Sequence, residues 1–457
     1  MSRLFRSLLL LPLIVSCGAK IEELALEAKS ATDQADQVEE EIVKISTVGA
    51  LDSAFGQGNG FSVTGSADGD DYMRASSVDS EGRIVVVGAI KKVATGLDMA
   101  VWRFNSDGTP DTSFGNSGVF THHNAAGGTG VVDVATSLDI DSEGNIFVGG
   151  YSERADKNLD IAVWKLDPSG VLDNSFNGDG VFTENDTAGG NGDDKVSNLI
   201  LDSNGKIILG GTSKSSSNTR TVVWRLTLSG TLDTTFGDFS LGRRVIPDDF
   251  KAESMVLDSD DNVILGGYND PSLKREMHIY KLTSAGAEDS AFGGGNGFVK
   301  YTSPGMSSDD GVFSVTVDKD QNILATGSFD DDMSIVKYSS SGVLDTSFGT
   351  SGLVTHDLSG GNADIGNAIT LDHEGNILVA GKSNNGVDDD MVLWKYTSNG
   401  VLDTSFAGGA GYMSIDGTAG GGDDEAMGIS LDKTGHILVT GKSSNGTDHD
   451  AVIWRIK

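Results

Sequence analysis

Aspartates at repeating positions are the residues of this chain whose type and spacing best suit a chemical role. Six of them stand eight residues ahead of another regularly spaced aspartate: Asp71, Asp133, Asp194, Asp310, Asp364 and Asp424. Carboxylates beside glycine-rich backbone are the ligands that Ca²⁺ prefers, so this set is a candidate calcium-binding set. The alternative is structural, because an aspartate at a strand entrance commonly accepts a hydrogen bond from a nearby backbone N–H. Recurrence in most copies suits the structural role.

A second acidic set opens the last strand of each repeat, at Asp98, Asp160, Asp332, Asp390 and Asp450, with Arg220 and Glu276 in the two remaining copies. Those two copies also carry basic residues in the connection before that strand, giving the set Lys214, Arg220, Lys274 and Arg275. On an otherwise acidic rim, this basic set predicts a local site for an anion or a partner. Sequence drift in long loops is the alternative.

Residues for nucleophilic or zinc chemistry are scarce. The seven histidines form no His-Glu-x-x-His motif and do not recur in register, which gives zinc or general-base chemistry little support. The single cysteine, Cys17, lies at the end of an apolar leader. No catalytic residue is therefore assigned from the sequence.

These candidates sit within a repeat of about 60 residues. An Asp-x-x-Phe phrase returns seven times, with its phenylalanine at Phe55, Phe114, Phe176, Phe236, Phe292, Phe348 and Phe406. Each copy contains four short apolar runs separated by turn residues, and the second and third runs flank a tight Asp-led hairpin. Seven such copies predict an all-β seven-bladed propeller of four-stranded antiparallel blades. The pattern leaves open whether one blade comes from one copy or from parts of two.

Bulky residues recur in the fourth run, at Trp102, Trp164, Trp224, Trp394 and Trp454, with Tyr280 and Val336 in copies four and five. We expect them to fill the gap between neighbouring sheets.

The combined phrases Leu-Asp-x-Ser-Phe-Gly, Asp-x-x-Gly-Asn-Ile-Leu-Val and Asp-x-x-x-Trp-Lys/Arg resemble the delta-60 repeat family from Leu51 to Lys457. That resemblance implies a propeller in an exported bacterial protein and no settled activity. Asn177 and Ala407 depart from the pattern by replacing the glycine after Phe, which puts the geometry of those two turns in question.

The N-terminal region predicts export and anchoring. Residues 1–16 read as a signal peptide, and Ile14-Val15-Ser16-Cys17 resembles a bacterial lipobox, which implies lipidation of Cys17, palmitate included, and favours the outer membrane. Residues 17–49 predict a helical tether with a weak heptad seam, either a self-associating stalk or a single spacer. The propeller is predicted over 50–457.

The net charge limits the classes of partner that the body of the protein can bind. The chain carries 67 acidic against 33 basic residues, a net charge of −34, so nucleic acid is excluded as a partner of the body. The first hypothesis is an outer-membrane lipoprotein whose propeller binds a protein, glycan or envelope partner. The alternatives are a propeller enzyme acting on an extracellular glycan or polymer, and a calcium-stabilised adhesin. An enzyme should gather non-repeating ionisable groups near one end of the channel, whereas a platform should vary over a rim.

Overall fold

The computed structural model describes residues 49–128, 132–189, 191–215, 218–246, 249–269, 275–301, 310–358 and 363–457. The predicted signal peptide, Cys17, the helical tether up to Val48 and Lys274 lie outside these described residues. The compact unit is Gly49–Lys457. Within the described ranges, no helix has the length and apolar character needed to cross a membrane.

Twenty-eight strands make up nearly all of the regular structure in the described residues. They are β1 Phe61–Thr64, β2 Tyr72–Val78, β3 Ile84–Lys92, β4 Gly96–Phe104, β5 Val119–His122, β6 Asp133–Ile140, β7 Ile146–Glu153, β8 Leu159–Leu166, β9 Val181–Glu184, β10 Asp194–Leu201, β11 Ile207–Lys214, β12 Thr219–Leu226, β13 Arg243–Val245, β14 Phe250–Leu257, β15 Val263–Asn269, β16 Glu276–Leu282, β17 Phe298–Tyr301, β18 Gly311–Val317, β19 Ile323–Phe329, β20 Asp332–Tyr338, β21 Leu353–His356, β22 Asp364–Leu371, β23 Ile377–Asn384, β24 Asp389–Tyr396, β25 Tyr412–Ile415, β26 Asp424–Leu431, β27 Ile437–Ser444 and β28 His449–Ile456. Short 3-10 turns lie at Gly56–Gly58, Asp238–Ser240, Phe292–Gly295 and Ala407–Gly409.

The strands form seven four-stranded antiparallel sheets, which confirms the predicted seven-bladed propeller. Blades 1 to 6 each take four consecutive strands, beginning with β2, β6, β10, β14, β18 and β22. In each blade the first strand is the inner strand, since the inner strands of successive blades contact one another around a central channel. The outer strand of each blade belongs to the next copy of the repeat, so a blade combines parts of two copies.

The seventh blade closes the ring. It consists of β26, β27 and β28 with β1 as its outer strand, and Phe61 pairs with Trp454 while Thr64 pairs with Ala451. The first strand of the propeller therefore completes its last sheet, a device that leaves no long unpaired edge at the seam.

Each inner strand contains a β-bulge three residues after its acid position. In blade 1, for example, Met73 pairs with Gly88 and Ala75 pairs with Val87, so Arg74 is skipped. The recurrent glycine nine residues after the hairpin aspartate makes this bulge feasible, because a Cβ on Gly88 would lie 2.0 Å from the Tyr72 carbonyl oxygen. The same clash, at 1.8–2.0 Å, would arise at the equivalent glycine of every blade. The bulge in each inner strand therefore depends on the glycine opposite it in the neighbouring strand.

The core lies between neighbouring blades, as expected from the periodic tryptophans. Trp164 of blade 2 is fully buried with Val85, Val87 and Val101 of blade 1. Trp224 of blade 3 is likewise buried in a cluster with side chains of blade 2. The rings fill the spaces between adjacent sheets.

The turn that contains the Asp-x-x-Phe motif contacts the equivalent turn of the next copy. Phe55 is buried, and the N–H of Gly56 donates to the Asp107 carbonyl oxygen at 2.8 Å in the following turn. A Cβ on Gly108 would lie 2.7 Å from the Phe55 ring, so that close approach needs glycine. Asn177 and Ala407 keep the same turn at positive φ, 49° and 52°, and both departures are accommodated locally at a strain of about 1 kcal/mol.

Candidate functional site

The two ends of the channel differ. We call the end at which the inner strands begin the acidic face, and the opposite end, which carries the Asp-led hairpins and the Phe turns, the hairpin face. Antiparallel pairing within each blade places both acidic sets of the sequence on the acidic face.

The six candidate calcium ligands are all buried, with exposed fractions of 0–1%. Each accepts a backbone N–H: Lys91 at 2.6 Å to Asp71, Asn124 at 2.9 Å to Asp133, Asp186 at 2.7 Å to Asp194, Asp330 at 2.8 Å to Asp310, Leu358 at 2.7 Å to Asp364, and Gly417 at 2.6 Å to Asp424. They belong to six different blades, so the structure does not bring them together. We call these residues loop clamps, because each holds a loop by accepting a hydrogen bond from its backbone.

The two acidic sets meet between neighbouring blades. Burial raises the pKa of Asp160 to about 6; Arg154 opposes this rise, and the charge of Asp194 in the next blade adds to it. Burial also raises the pKa of Asp71, with a contribution from Asp450 across the closure seam. These interfaces therefore hold carboxylates whose mutual repulsion is not fully compensated.

Two groups of three carboxylates come close enough to share a cation. Asp332, Asp357 and Asp364 each offer an oxygen within 4.8 Å of the others, as do Asp388, Asp390 and Asp416. Asp364 is the one member of the predicted calcium set in these groups, among the residues the structure describes. Calcium binding stays a prediction.

The central channel contains a cavity of about 680 Å³. The bulge residue of every inner strand lines it: Arg74, Thr136, Ser197, Glu253, Phe313, Asn367 and Met427. The backbone device is the same in all seven blades, but the side chains that it presents are seven different ones. The side chains that line the channel wall therefore differ from blade to blade, although the backbone repeats.

Cations gather on tyrosine rings at this part of the channel. The guanidinium of Arg74 lies 5.1 Å from the ring centre of Tyr72, and Lys195 Nζ lies 5.2 Å from that of Tyr151. Tyr268 carries two cations, with Lys251 Nζ at 5.5 Å and the Arg275 guanidinium at 4.4 Å. Contacts of this kind hold a cation in place without neutralising its charge.

Carboxylates balance only part of this charge. Glu425 faces Lys442 at 3.2 Å and Lys382 at 3.8 Å. Among the described residues, neither Arg74 nor Lys195 has an acidic partner within ion-pair distance, and the buried Nε of Arg74 has no hydrogen-bond partner.

Glu253 is the internal counter-charge of the cationic group. Its side chain faces the open channel yet is surrounded by protein, and this burial raises its pKa, opposed by Arg275, Arg74 and Lys251. The cluster formed by Arg74, Lys195, Lys251, Arg275 and Glu253 is named the channel cluster below. Of its members, Arg74, Lys195 and Glu253 line the cavity, as does the carboxylate of Glu425.

The predicted basic partner set is divided by the structure. Arg275 belongs to the channel cluster, whereas Lys214 is an exposed residue at the end of β11. Arg220 lies in β12 opposite Ser213. Sequence reasoning missed Arg74, Lys195, Lys251 and Glu253, although all four stand one or three residues after the acid position of their copies.

Two descriptions of known repeats match parts of the chain. A domain of unknown function (DUF5122) beta-propeller matches residues 80–114, 142–176, 203–236 and 375–406, and a beta-propeller repeat matches residues 356–387. The chain is built from β-propeller repeats. No curated protein sequence matches it.

Solved structures share the architecture at low identity. Virginiamycin B lyase from Staphylococcus aureus is 13% identical over 86% of this chain and 98% of its own, with a TM-score of 0.46. Sqt1 from Chaetomium thermophilum, bound to the N-terminus of a ribosomal protein, is 14% identical over 85% and 98%, with a TM-score of 0.44. A polysaccharide lyase acting as an ulvan lyase is 12% identical over 85% and 94%, with a TM-score of 0.45. Such distant likenesses have no bearing on activity.

Proposed function

We propose that this protein is a lipid-anchored binding protein of the bacterial outer membrane, and that its propeller receives an anionic ligand in the central channel. The observation that carries the binding site is the pair Arg74 and Lys195, which line the channel, lie against tyrosine rings and, among the described residues, have no acidic partner within ion-pair distance, in a chain of net charge −34. The delta-60 repeat phrases support the exported setting.

Several cations elsewhere in the propeller form ion pairs. Arg103 pairs with Asp111 at 2.7 Å, Arg225 with Asp233 at 3.0 Å, and Lys395 with Asp372 at 3.0 Å. Arg74 and Lys195 differ from these because they lie on tyrosine rings inside a concave site, in a chain with two acids for every base. Such charges lie in a partly desolvated place, where an anionic group would bind more strongly than at the open surface.

Anion binding is testable on the full-length protein in detergent. We expect pyrophosphate to raise the melting temperature of the wild-type protein through preferential binding to the folded state. The double substitution Arg74→Gln and Lys195→Gln should remove that increase, while Lys319→Gln, an exposed lysine on the hairpin face, should retain it. An equal increase in all three proteins would contradict the proposed site.

The anchor rests on Cys17 and its lipobox. We expect the wild-type protein to fractionate with the outer membrane and to incorporate labelled palmitate, and Cys17→Ser to lose both properties. Membrane association of Cys17→Ser at the wild-type level would remove this part of the proposal.

A second candidate function is an enzyme acting on an acidic glycan or polymer. The convergence of non-repeating ionisable groups at one end of the channel favours it. Glu253 would be its acid–base group, since its raised pKa is typical of such a role. New reducing ends released from acidic polysaccharides by the wild-type protein but not by Glu253→Gln would establish it, and no release from any of them would leave binding alone.

A further inference from the structure

We infer that the channel site takes a small amphipathic organic anion, with its acidic group on the channel cluster and its apolar body against Phe313 and Met427. This inference rests on the proposed function and adds the chemical class of the ligand. It follows from the distribution of side chains around one cavity.

The cationic and apolar residues of the cavity come from different blades. Arg74, Lys195 and Glu253 come from blades 1, 3 and 4, whereas Phe313, Ile369 and Met427 come from blades 5 to 7, where Glu425 is the one charged residue of the described lining. Arg74, Phe313 and Met427 occupy the same bulge position of their copies. They therefore lie at one level of the channel wall.

Phe313 lies near the cationic residues through the Tyr268 ring. The rings of Phe313 and Tyr268 both come within 3.4 Å of the position that a Cβ on Gly311 would occupy. Tyr268 in turn carries Lys251 and Arg275. A ligand at this point would touch an aromatic ring and a cation together.

Gly311 allows the two rings to lie close together. At the same position, one residue after the acid, other copies carry Tyr72, Lys195, Lys251 and Glu425. Gly311 supplies no side chain there, and the rings of Phe313 and Tyr268 occupy that space at ordinary contact distance. Phe313 itself is only partly buried, and covering it with an apolar ligand would be favourable.

The size of the cavity limits the ligand. A volume of about 680 Å³ falls within the range of small-molecule sites, roughly 300–1,000 Å³. An inorganic anion would leave Phe313 and Met427 uncovered, and a neutral apolar molecule would leave Arg74 and Lys195 without an acidic partner. The planar guanidinium of Arg74 lines the cavity and, among the described residues, has no acidic partner, so it suits a carboxylate or sulfonate head.

Three probes separate these contributions on the full-length protein: 1-naphthoate, which has both parts, 1-naphthylmethanol, which lacks the charge, and acetate, which lacks the apolar body. Ligand-observed NMR titration gives the dissociation constant of each. We expect 1-naphthoate to bind at least about tenfold more tightly than either of the others, because one buried aromatic body or one charge-assisted pair accounts for about that factor.

The variants place in one blade a residue that another blade already has at the bulge position, so each is compatible with the backbone. Phe313→Ser, which matches Ser197, should weaken 1-naphthoate about tenfold and leave acetate unchanged. Arg74→Thr, which matches Thr136, should weaken both anions. Lys319→Gln, on the hairpin face, is the control and should change neither.

The outcomes distinguish two failures. If acetate and 1-naphthoate bind equally, if 1-naphthylmethanol binds as tightly as 1-naphthoate, or if Phe313→Ser leaves 1-naphthoate unchanged, the amphipathic ligand class is wrong. If neither anion binds, or if both bind to Arg74→Thr as to the wild type, the proposed anion site itself is wrong.

Discussion

The ring closure depends on a buried ion pair, and its removal should open the seam. Asp52 is 1% exposed and accepts from Arg455 Nε at 2.8 Å and from Lys457 Nζ at 3.0 Å. Burial opposes its ionisation, but hydrogen bonds from the Ala54 N–H, Lys457 and Arg455 lower the pKa of Asp52 from 3.8 to about 2. The carboxylate thus joins the start of the propeller to its last strand.

The pKa gives the size of the effect. A depression of nearly 2 units corresponds to about 2.5 kcal/mol of stability that is present above pH 4 and lost as the pH falls towards 2. Asp52→Asn also leaves the buried Arg455 with Asp432, 3.8 Å from its Nη1, as its remaining acidic partner, so the loss lies at the low end of the about 3–5 kcal/mol that a buried pair costs when it loses one member. We therefore expect Asp52→Asn to lower the free energy of unfolding by about 3 kcal/mol at pH 7, with a difference that shrinks below pH 3.

A matched control exists within blade 1. Asp111 and Arg103 form the same pair at 2.7 Å, with the two residues in one hairpin. Urea unfolding measures both losses, and amide hydrogen exchange locates them. Asp52→Asn should accelerate exchange in β1 and β28, whereas Asp111→Asn should leave these two strands protected. Unchanged exchange in β1 and β28 of Asp52→Asn, or equal acceleration in both variants, would refute this account of the closure.

Three further outcomes follow from the packing and the charges. Asp160→Asn should raise the free energy of unfolding at pH 7 by about 1 kcal/mol after allowance for solvent screening, and by less at pH 5. The reason is that the pKa of Asp160 is raised to about 6, so its destabilising charge is absent at low pH. A larger gain at pH 5 than at pH 7 in thermal melting would contradict this. Gly327→Ala should destabilise the propeller by at least about 2 kcal/mol, because its Cβ would lie 1.8 Å from a carbonyl oxygen. Gly311→Ala should be tolerated, because its Cβ would meet its nearest atoms at 3.4 Å. Equal melting temperatures for the two variants would refute the clash. If the calcium prediction holds, millimolar Ca²⁺ raises the melting temperature of the wild type but not of Asp364→Asn, and an unchanged wild-type value counts against bound calcium.

Much of the fold could be predicted because it is local. The Asp-led hairpin, the Phe turn and the periodic tryptophan each depend on residues close together in the chain, and the structure has all three where the repeat places them. The blade phase could not be predicted from the same pattern. Pairing of β5 with β4, for example, joins two copies, and one copy read alone does not reveal that pairing.

The candidate site was harder to predict for a physical reason. The residues of the channel cluster are ordinary strand residues in the sequence, and only the bulge directs positions such as Arg74 and Glu253 into the channel. The recurrent acids are easy to find because they repeat. They repeat because the same loop is held in the same way in six of the seven blades, as by Asp133 in blade 2. A site for one ligand needs the opposite, a different residue at each equivalent position.

The pairing of β1 with β28 has a consequence for the order of assembly. Blades 1 to 6 take consecutive strands, so each can form as the chain is made. The seventh cannot be completed until β28 has arrived, and until then β1 has no partner. A chain interrupted within the last copy would retain most of its sheets but expose two strand edges, features that proteases and chaperones recognise in unfinished proteins. Completion of the last sheet thus requires strands from both ends of the propeller.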